Sequence, residues 1–196
     1  MREIIKMIVV LTVLSCFSGG LLAAIRGGTK DKIENQQLEF VKGPAIRNIL
    51  DGCSNDPIVD RFKIKDGDIE RSFFVGVFDG KADTVAFESF GKGFGGDIGL
   101  MVGVNINDDK IINIGVTTHS ETPGVGSKAK TDPKFSNQFK GLAAIDPCKV
   151  KSDGGGIDAI SGATVTSRGV CGGITEAGNV YKRLKSQITE KIKKFS

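Results

Sequence analysis

Ser72-Phe73-Phe74-Val75-Gly76-Val77-Phe78, then Asp79-Gly80, then Thr84-Val85-Ala86-Phe87-Glu88-Ser89-Phe90 is the stretch on which the fold turns. Both runs are rich in β-branched and aromatic residues, which fit a pleated, buried surface. Asp-Gly between two such runs is a hairpin signal, because a tight two-residue turn needs residues that tolerate positive φ. Outward from this hairpin, Arg61 to Lys65 reads as a preceding strand, and Gly99 to Ile106 and Ile111 to Thr118 read as two further strands joined by Asn107-Asp108-Asp109-Lys110. The middle of the chain is therefore expected to be an antiparallel sheet. The period then changes: Val170, Ile174, Ala177, Tyr181, Leu184, Ile188 and Phe195 recur at steps close to three and four, the mark of an amphipathic helix with one buried face. Its outer face is rich in Lys, and Lys191, Lys193 and Lys194 suit the negative end of a helix dipole. Sheet followed by helix indicates the α+β class.

The other end of the chain is of a different kind. Met7 to Ile25 carries no charge and is bounded by Lys6 and Arg26. At about 1.5 Å per residue such a run covers most of a hydrocarbon core of roughly 30 Å, so the reading is a single transmembrane helix. Arg2 and Lys6 precede it while Arg26, Lys30 and Lys32 follow, so charge does not settle its orientation. A cleaved signal sequence ending near Ala23-Ala24, or a lipoprotein box at Val13-Leu14-Ser15-Cys16, are the competing readings. The expected organisation is a cytoplasmic N-terminus over 1–6, an anchor over 7–25, a polar linker over 26–43 and a folded domain over 44–196. That domain opens with a short helical segment near Pro44 to Leu50 and a turn cluster at Asp51 to Pro57.

Composition narrows the function classes. The 196 residues, 39% hydrophobic and 26% charged, are enough for one globular domain with its own core. The net charge of +4 is scattered among 23 acidic residues, and one Tyr with no Trp leaves no platform for stacking on bases, so nucleic-acid binding is not indicated. Of four cysteines, Cys16 lies in the apolar run. Cys53, Cys148 and Cys171 form no CxxC pair and no zinc spacing, so no metal site is expected. In an oxidising compartment Cys53 and Cys148, both in polar turn-like surroundings, are candidates for a bridge, and Cys171 reads as a helix-packing residue. Three unpaired thiols is the equal alternative.

Three segments bear on chemistry. Gly91-Lys92-Gly93-Phe94-Gly95-Gly96 has the letters of a dinucleotide fingerprint, but a strand-like run follows where a helix is required, so it reads as a Gly-rich hairpin loop. His119-Ser120-Glu121-Thr122-Pro123-Gly124-Val125-Gly126 contains the single histidine and a Pro-Gly pair that signals a type II turn. No Ser or Cys pairs recognisably with His119, which leaves a catalytic triad without support. Ser161-Gly162-Ala163-Thr164-Val165-Thr166 leads straight into the amphipathic helix. Hydroxyls there serve as ordinary N-caps, but a helix entrance also favours an anion, and the small Gly162 and Ala163 leave room for a bulky group on the next hydroxyl.

Ser161 to Thr166 resembles the S-G-A-T-x-[ST] flavinylation signal of the FMN-binding domain shared by the G subunit of the Rnf electron transport complex and the C subunit of the sodium-translocating NADH:quinone reductase. His119 to Gly126 is similar to that family's H-x-E-T-P-G-[LV]-G loop, and Phe94-Gly95-Gly96-Asp97-Ile98 to its aromatic-G-G-x-I segment, with Asp97 where a Pro is common. The three motifs occur in order and, with the anchor, cover nearly the whole chain. The resemblance implies an N-terminal transmembrane helix followed by an antiparallel-sheet FMN-binding domain with a long C-terminal helix. It implies FMN joined by a phosphoester to Thr164, installed by a flavin transferase that consumes FAD. Ser161, Gly162, Ala163, Val165 and Thr166 are then expected around the phosphate and ribityl chain. His119, Glu121, Thr122, Pro123, Gly124 and Val125 would lie along the ring, with Gly95 and Gly96 in the glycine-rich loop and Lys128 and Arg168 as candidates to offset the phosphate charge. The implied partners are the other membrane subunits of a complex moving electrons between ferredoxin and NAD while translocating sodium ions or protons, with the flavin domain on the extracytoplasmic side of the cytoplasmic membrane. The short chain favours the Rnf family over the quinone reductase family. A non-redox tethered binding domain and a stand-alone flavin reductase are the readings from other classes.

Overall fold

The computed structural model describes residues 2–195, which divide into two compact units meeting between Leu38 and Glu39. In the first, α1 (Arg2–Gln36) is helical throughout, and its stretch Arg2–Thr29, with a mean hydropathy of 2.4, is long and apolar enough to cross a membrane. Residues 26–43, expected as a polar linker, are helical: α1 runs on to Gln36, and Gln37–Lys42 form a π-helix. The physical reason lies in propensity. Lys, Glu, Gln, Ile and Leu make up half of this stretch and no Pro occurs before Pro44, so a helix nucleated upstream propagates through it despite Gly27 and Gly28, and a periodic apolar face is not required.

The second unit begins with α2 (Gly43–Ile49), whose Pro44 stands in the first turn, where a missing N–H costs nothing. Five strands follow: β1 (Arg61–Asp66), β2 (Ile69–Phe78), β3 (Lys81–Lys92), β4 (Asp97–Asn105) and β5 (Lys110–Thr118). They form an antiparallel meander in sequence order, β1-β2-β3-β4-β5. The Asp79-Gly80 hairpin is as the sequence indicates. Both turn residues have positive φ, 50° and 73°, as a type I′ turn demands, and Phe78 pairs with Lys81 across it.

Alternation along the central strands sends side chains to two covered faces. Phe73, Val75, Val85, Phe87, Leu100 and Val102 join the main core beneath α5 (Thr164–Ile192), whose Val170, Ile174, Ala177, Tyr181, Leu184 and Ile188 are all buried. On the opposite face α2 packs against β4 and β5, with Ile49 over Gly103 and Ala45 over Gly115, while Leu50 lies against Gly76. This two-sided burial explains why β2 to β4 read as nearly continuous apolar runs rather than alternating ones. Helix α5 lies closest to β3, where a Cβ on Gly91 would run into the Gly169 carbonyl and Ser89 Oγ donates to the Gly173 carbonyl at 2.8 Å. The backbone of β3 is thereby docked on the first turns of α5, next to the helix entrance.

The two sheet edges differ. Along β5, residues 141–144 add a short pairing in which Ile111 N–H donates to Leu142 O at 2.8 Å and Gly141 N–H to Ile111 O at 2.7 Å. The outer edge strand, β1, is Arg61-Phe62-Lys63-Ile64-Lys65-Asp66, in which Arg61, Lys63 and Lys65 are exposed. Between β5 and α5 the chain makes two short helices, α3 (Lys128–Thr131) and α4 (Pro133–Ser136), which bury Ala129 and Phe135. Cys53, Cys148 and Cys171 are all free thiols, and the bridge considered between Cys53 and Cys148 is not formed. Cys148 lies against Cys171 instead, because the loop that carries it packs on α5.

Candidate functional site

Three loops converge where α5 begins. The β3–β4 hairpin contributes Phe94, the segment after β5 contributes Glu121, Thr122, Val125 and Gly126, and the helix entrance contributes Gly162, Ala163, Thr164, Val165 and Thr166. Together they enclose a pocket of about 360 Å³, within the range of small-molecule sites.

The helix entrance is built in an unusual way. Ser161 and Gly162 form a turn in which Gly162 takes φ 77°, a left-handed conformation that a Cβ would strain. The N-cap position falls on Ala163, which has no side chain able to cap, and no hydroxyl caps the helix in its place. Thr164, half-buried, is therefore the first residue of a 29-residue helix whose leading N–H groups have no side-chain cap and whose first residues line the pocket. The ordinary N-cap role open to these hydroxyls from sequence is not taken up. Ser167, one turn on, is engaged beneath the entrance: its Oγ donates to Ala163 O at 3.0 Å and accepts from Ile160 N–H at 3.0 Å.

Glu121 ties the three loops together. Only 6% exposed, its carboxylate accepts from Gly95 N–H at 2.8 Å through Oε1 and from the Thr166 hydroxyl through Oε2. The backbone N–H of Glu121 in turn donates to His119 Nδ1 at 3.2 Å. Gly95 is small of necessity, since a Cβ there would strike the Ser120 carbonyl. The Thr122-Pro123-Gly124-Val125 turn closes with Val125 N–H donating to Thr122 O at 3.2 Å and Gly124 at φ 72°, the type II geometry expected of Pro-Gly.

Of the residues singled out from sequence, Thr164, Gly162, Ala163, Val165, Thr166, Glu121, Thr122 and Val125 come together in the pocket. Ser161, His119, Pro123, Gly124, Gly95 and Gly96 are outside its lining and shape the loops around it. His119 engages its own loop through Nδ1. Arg168, a candidate to offset phosphate charge, instead forms a two-pronged pair with Asp153, Nε and Nη2 each 2.7 Å from a carboxylate oxygen, which holds the Asp153 carboxyl below its usual range. Two lining residues were not singled out as site residues. Phe94, 76% exposed, is an aromatic side chain at the tip of a glycine-rich hairpin, and that position was its signal. Gly126, whose signal was its place as the last glycine of the His119 to Gly126 motif, leaves room beside Glu121 and Thr166.

Comparison with known proteins covers the same region. The model of the FMN-binding domain family matches residues 93–179, a span that contains every lining residue. The G subunit of an ion-translocating oxidoreductase complex from Methanosarcina acetivorans is 34% identical over 172 residues, covering 86% of this chain and 89% of the relative. The G subunit of the proton-translocating ferredoxin:NAD(+) oxidoreductase complex of Clostridium ljungdahlii is 31% identical over 84% of each chain. The crystal structure of the C subunit of the Na(+)-translocating NADH-quinone reductase from Parabacteroides distasonis has a TM-score of 0.55 over 83% of this chain and 96% of that one, at 22% identity, a likeness of fold. Identity near one third, sustained across almost the full length of G subunits and exceeding that to this quinone reductase protein, decides between the two: the chain belongs to the G-subunit family of ion-translocating oxidoreductase complexes, built on an FMN-binding domain.

Proposed function

We propose that this chain is the electron-carrying flavoprotein subunit of a membrane-bound, redox-driven ion translocase, with FMN held covalently through its phosphate on the Thr164 hydroxyl. The observation that carries the reading is the entrance of α5, where a hydroxyl stands at the first position of a long helix whose leading N–H groups have no side-chain cap. Such a terminus favours a doubly bonded phosphate oxygen or its anion, both through its free donors and through the positive end of the dipole. A phosphate on Thr164 takes the place that a capping side chain would otherwise fill.

Each neighbouring residue has a task that follows from its position. Gly162 and Ala163 keep the approach to Thr164 narrow but unobstructed. Phe94, Val125 and Val165, exposed by 76%, 39% and 45%, offer apolar surface to a planar ring. Glu121 and Thr166 hold the hairpin and the helix entrance at a set distance. Bound FMN supplies one- and two-electron chemistry, and the protein's part is to hold it, orient it and shield one side from water.

The long apolar stretch of α1 fits a single-pass membrane protein, and an N-terminus entering from the cytoplasm would put the flavin domain on the extracytoplasmic side. The partners of this reading are the other membrane subunits of the complex and, during maturation, a flavin transferase consuming FAD. The test is co-expression of the full chain with such a transferase. A denatured gel band should fluoresce under ultraviolet light; Thr164→Ser should keep the signal and Thr164→Val should abolish it. Fluorescence surviving in Thr164→Val would overturn the attachment. As one member of a complex, the purified flavinylated chain is expected to accept electrons without sustained turnover of a soluble acceptor, whereas a stand-alone reductase would turn over.

A further inference from the structure

Away from the pocket, one pair of reactive side chains is held together by backbone contacts. Cys171 lies on the inner face of α5 and is 2% exposed, while Cys148, half-buried, lies on the loop that precedes Val150. Thr175, one turn after Cys171, joins the two segments. Its Oγ accepts from Cys148 N–H at 3.0 Å and donates to Cys171 O at 3.0 Å, with Cys148 O a second acceptor at 3.4 Å. A further turn along, a Cβ on Gly178 would strike the Ala144 carbonyl, so this loop rests directly on the helix backbone. The loop is also tied to the sheet, with Ala144 N–H donating to Asp109 O at 2.7 Å. The positions from which the two thiols project are therefore set by main-chain contacts.

We propose that Cys148 and Cys171 are a reactive dithiol that closes to an intrachain disulfide by exchange with a small-molecule disulfide, such as oxidised glutathione. The partly exposed Cys148 thiolate attacks one sulfur of the incoming disulfide and releases one thiolate, giving a mixed disulfide on Cys148. Cys171 then gives up its proton to solvent and attacks Cys148 Sγ, displacing the second thiolate. In total the protein loses two electrons and two protons, and one disulfide becomes two thiols. The order of attack agrees with acidity: the neighbouring Cys171 S–H, hydrogen-bonded to Cys148, lowers the Cys148 thiol, while that same contact and burial raise Cys171. The bridge would enclose the whole run from Lys149 to Val170, including Ser161 to Thr166, and so tether both ends of the segment that carries Thr164.

The test uses the full chain in detergent, incubated with oxidised glutathione, acid-quenched, denatured and alkylated before peptide mapping. The expected result is loss of two of the four alkylation sites, with the Cys148 and Cys171 peptides joined and Cys53 and Cys16 still labelled. Cys171→Ser should stop at a glutathione adduct on Cys148, and Cys148→Ser should leave Cys171 unmodified. Full alkylation of both thiols in the wild-type chain, or a bridge from Cys148 to Cys53, overturns the proposal. Thr164→Val should close the same bridge, so the outcome is independent of whether flavin is attached.

Discussion

Replacing Glu121 by Ala removes a carboxylate that is 6% exposed and leaves two donors, Gly95 N–H and the Thr166 hydroxyl, without their acceptor. A hydrogen bond to a charged group contributes about 1.5–3 kcal/mol, and the buried Thr166 hydroxyl, left alone, also bears its desolvation cost. Two such losses come to about 3–6 kcal/mol. For a domain of this size each kcal/mol moves the midpoint by roughly 2–4 °C, so Glu121→Ala should melt roughly 6 °C or more below the parent. Gln keeps an oxygen for Gly95 N–H and an amide that can donate to Thr166 Oγ, so Glu121→Gln should lose only about 1 kcal/mol. Thermal unfolding of the unflavinylated chain in detergent, followed by circular dichroism, measures both without interference from cofactor. A double-mutant cycle with Thr166→Val should return a coupling of about 1 kcal/mol or more, because the two side chains share one bond. If Glu121→Ala melts with the parent, or if Gln is as damaging as Ala, the carboxylate is not the tie between the hairpin and the helix entrance.

Two further outcomes follow from contacts away from the pocket. Gly91→Ala drives a Cβ into the Gly169 carbonyl, a backbone atom that cannot swing aside, so the β3–α5 contact must open, at a cost of about 1–3 kcal/mol read from the urea midpoint. Asp109 is held below the usual carboxylate range, first by its hydrogen bond from Lys185 at 2.6 Å and then by that from the Tyr181 hydroxyl at 2.6 Å. A depressed folded value gives stability that is complete above the unfolded carboxyl value of about 4 and is lost as pH falls through the folded value. Acid unfolding of Asp109→Asn, compared with the parent, should therefore show lower stability at neutral pH and a flatter decline below about pH 4.

Legibility from sequence followed how local the physics was. Asp79-Gly80 could be read because a two-residue turn fixes its own chemistry, and the α5 face could be read because its burial period is carried by one continuous helix. Thr164 stood out because three motifs point to it in order. The helical state of residues 26–42 was hidden because the stretch has good helix formers but no periodic face. The second covered face of the sheet was hidden for a related reason: continuous apolar runs such as Phe73 to Val77 do not say which helix lies over which side. Glu121 was placed beside the ring, but its tie to Gly95 and Thr166 spans 26 and 45 residues of sequence, beyond any local pattern. The Cys148–Cys171 neighbourhood has the same origin, since it depends on a loop packed on α5 through Thr175, 27 residues from Cys148.

The outer edge of the meander has a bearing on how such a protein survives among its neighbours. An open strand offers unpaired N–H and C=O groups to any extended peptide nearby, and a crowded multisubunit membrane complex supplies many. Here one rim is occupied at its Asp109–Ile111 end by residues 141–144, and the other presents exposed Arg61, Lys63 and Lys65. Basic side chains along a border strand repel a second copy of the same border and disfavour templated fibre growth. Contacts with the rest of an assembly are thus steered away from strand annealing and left to loops, helices and charge.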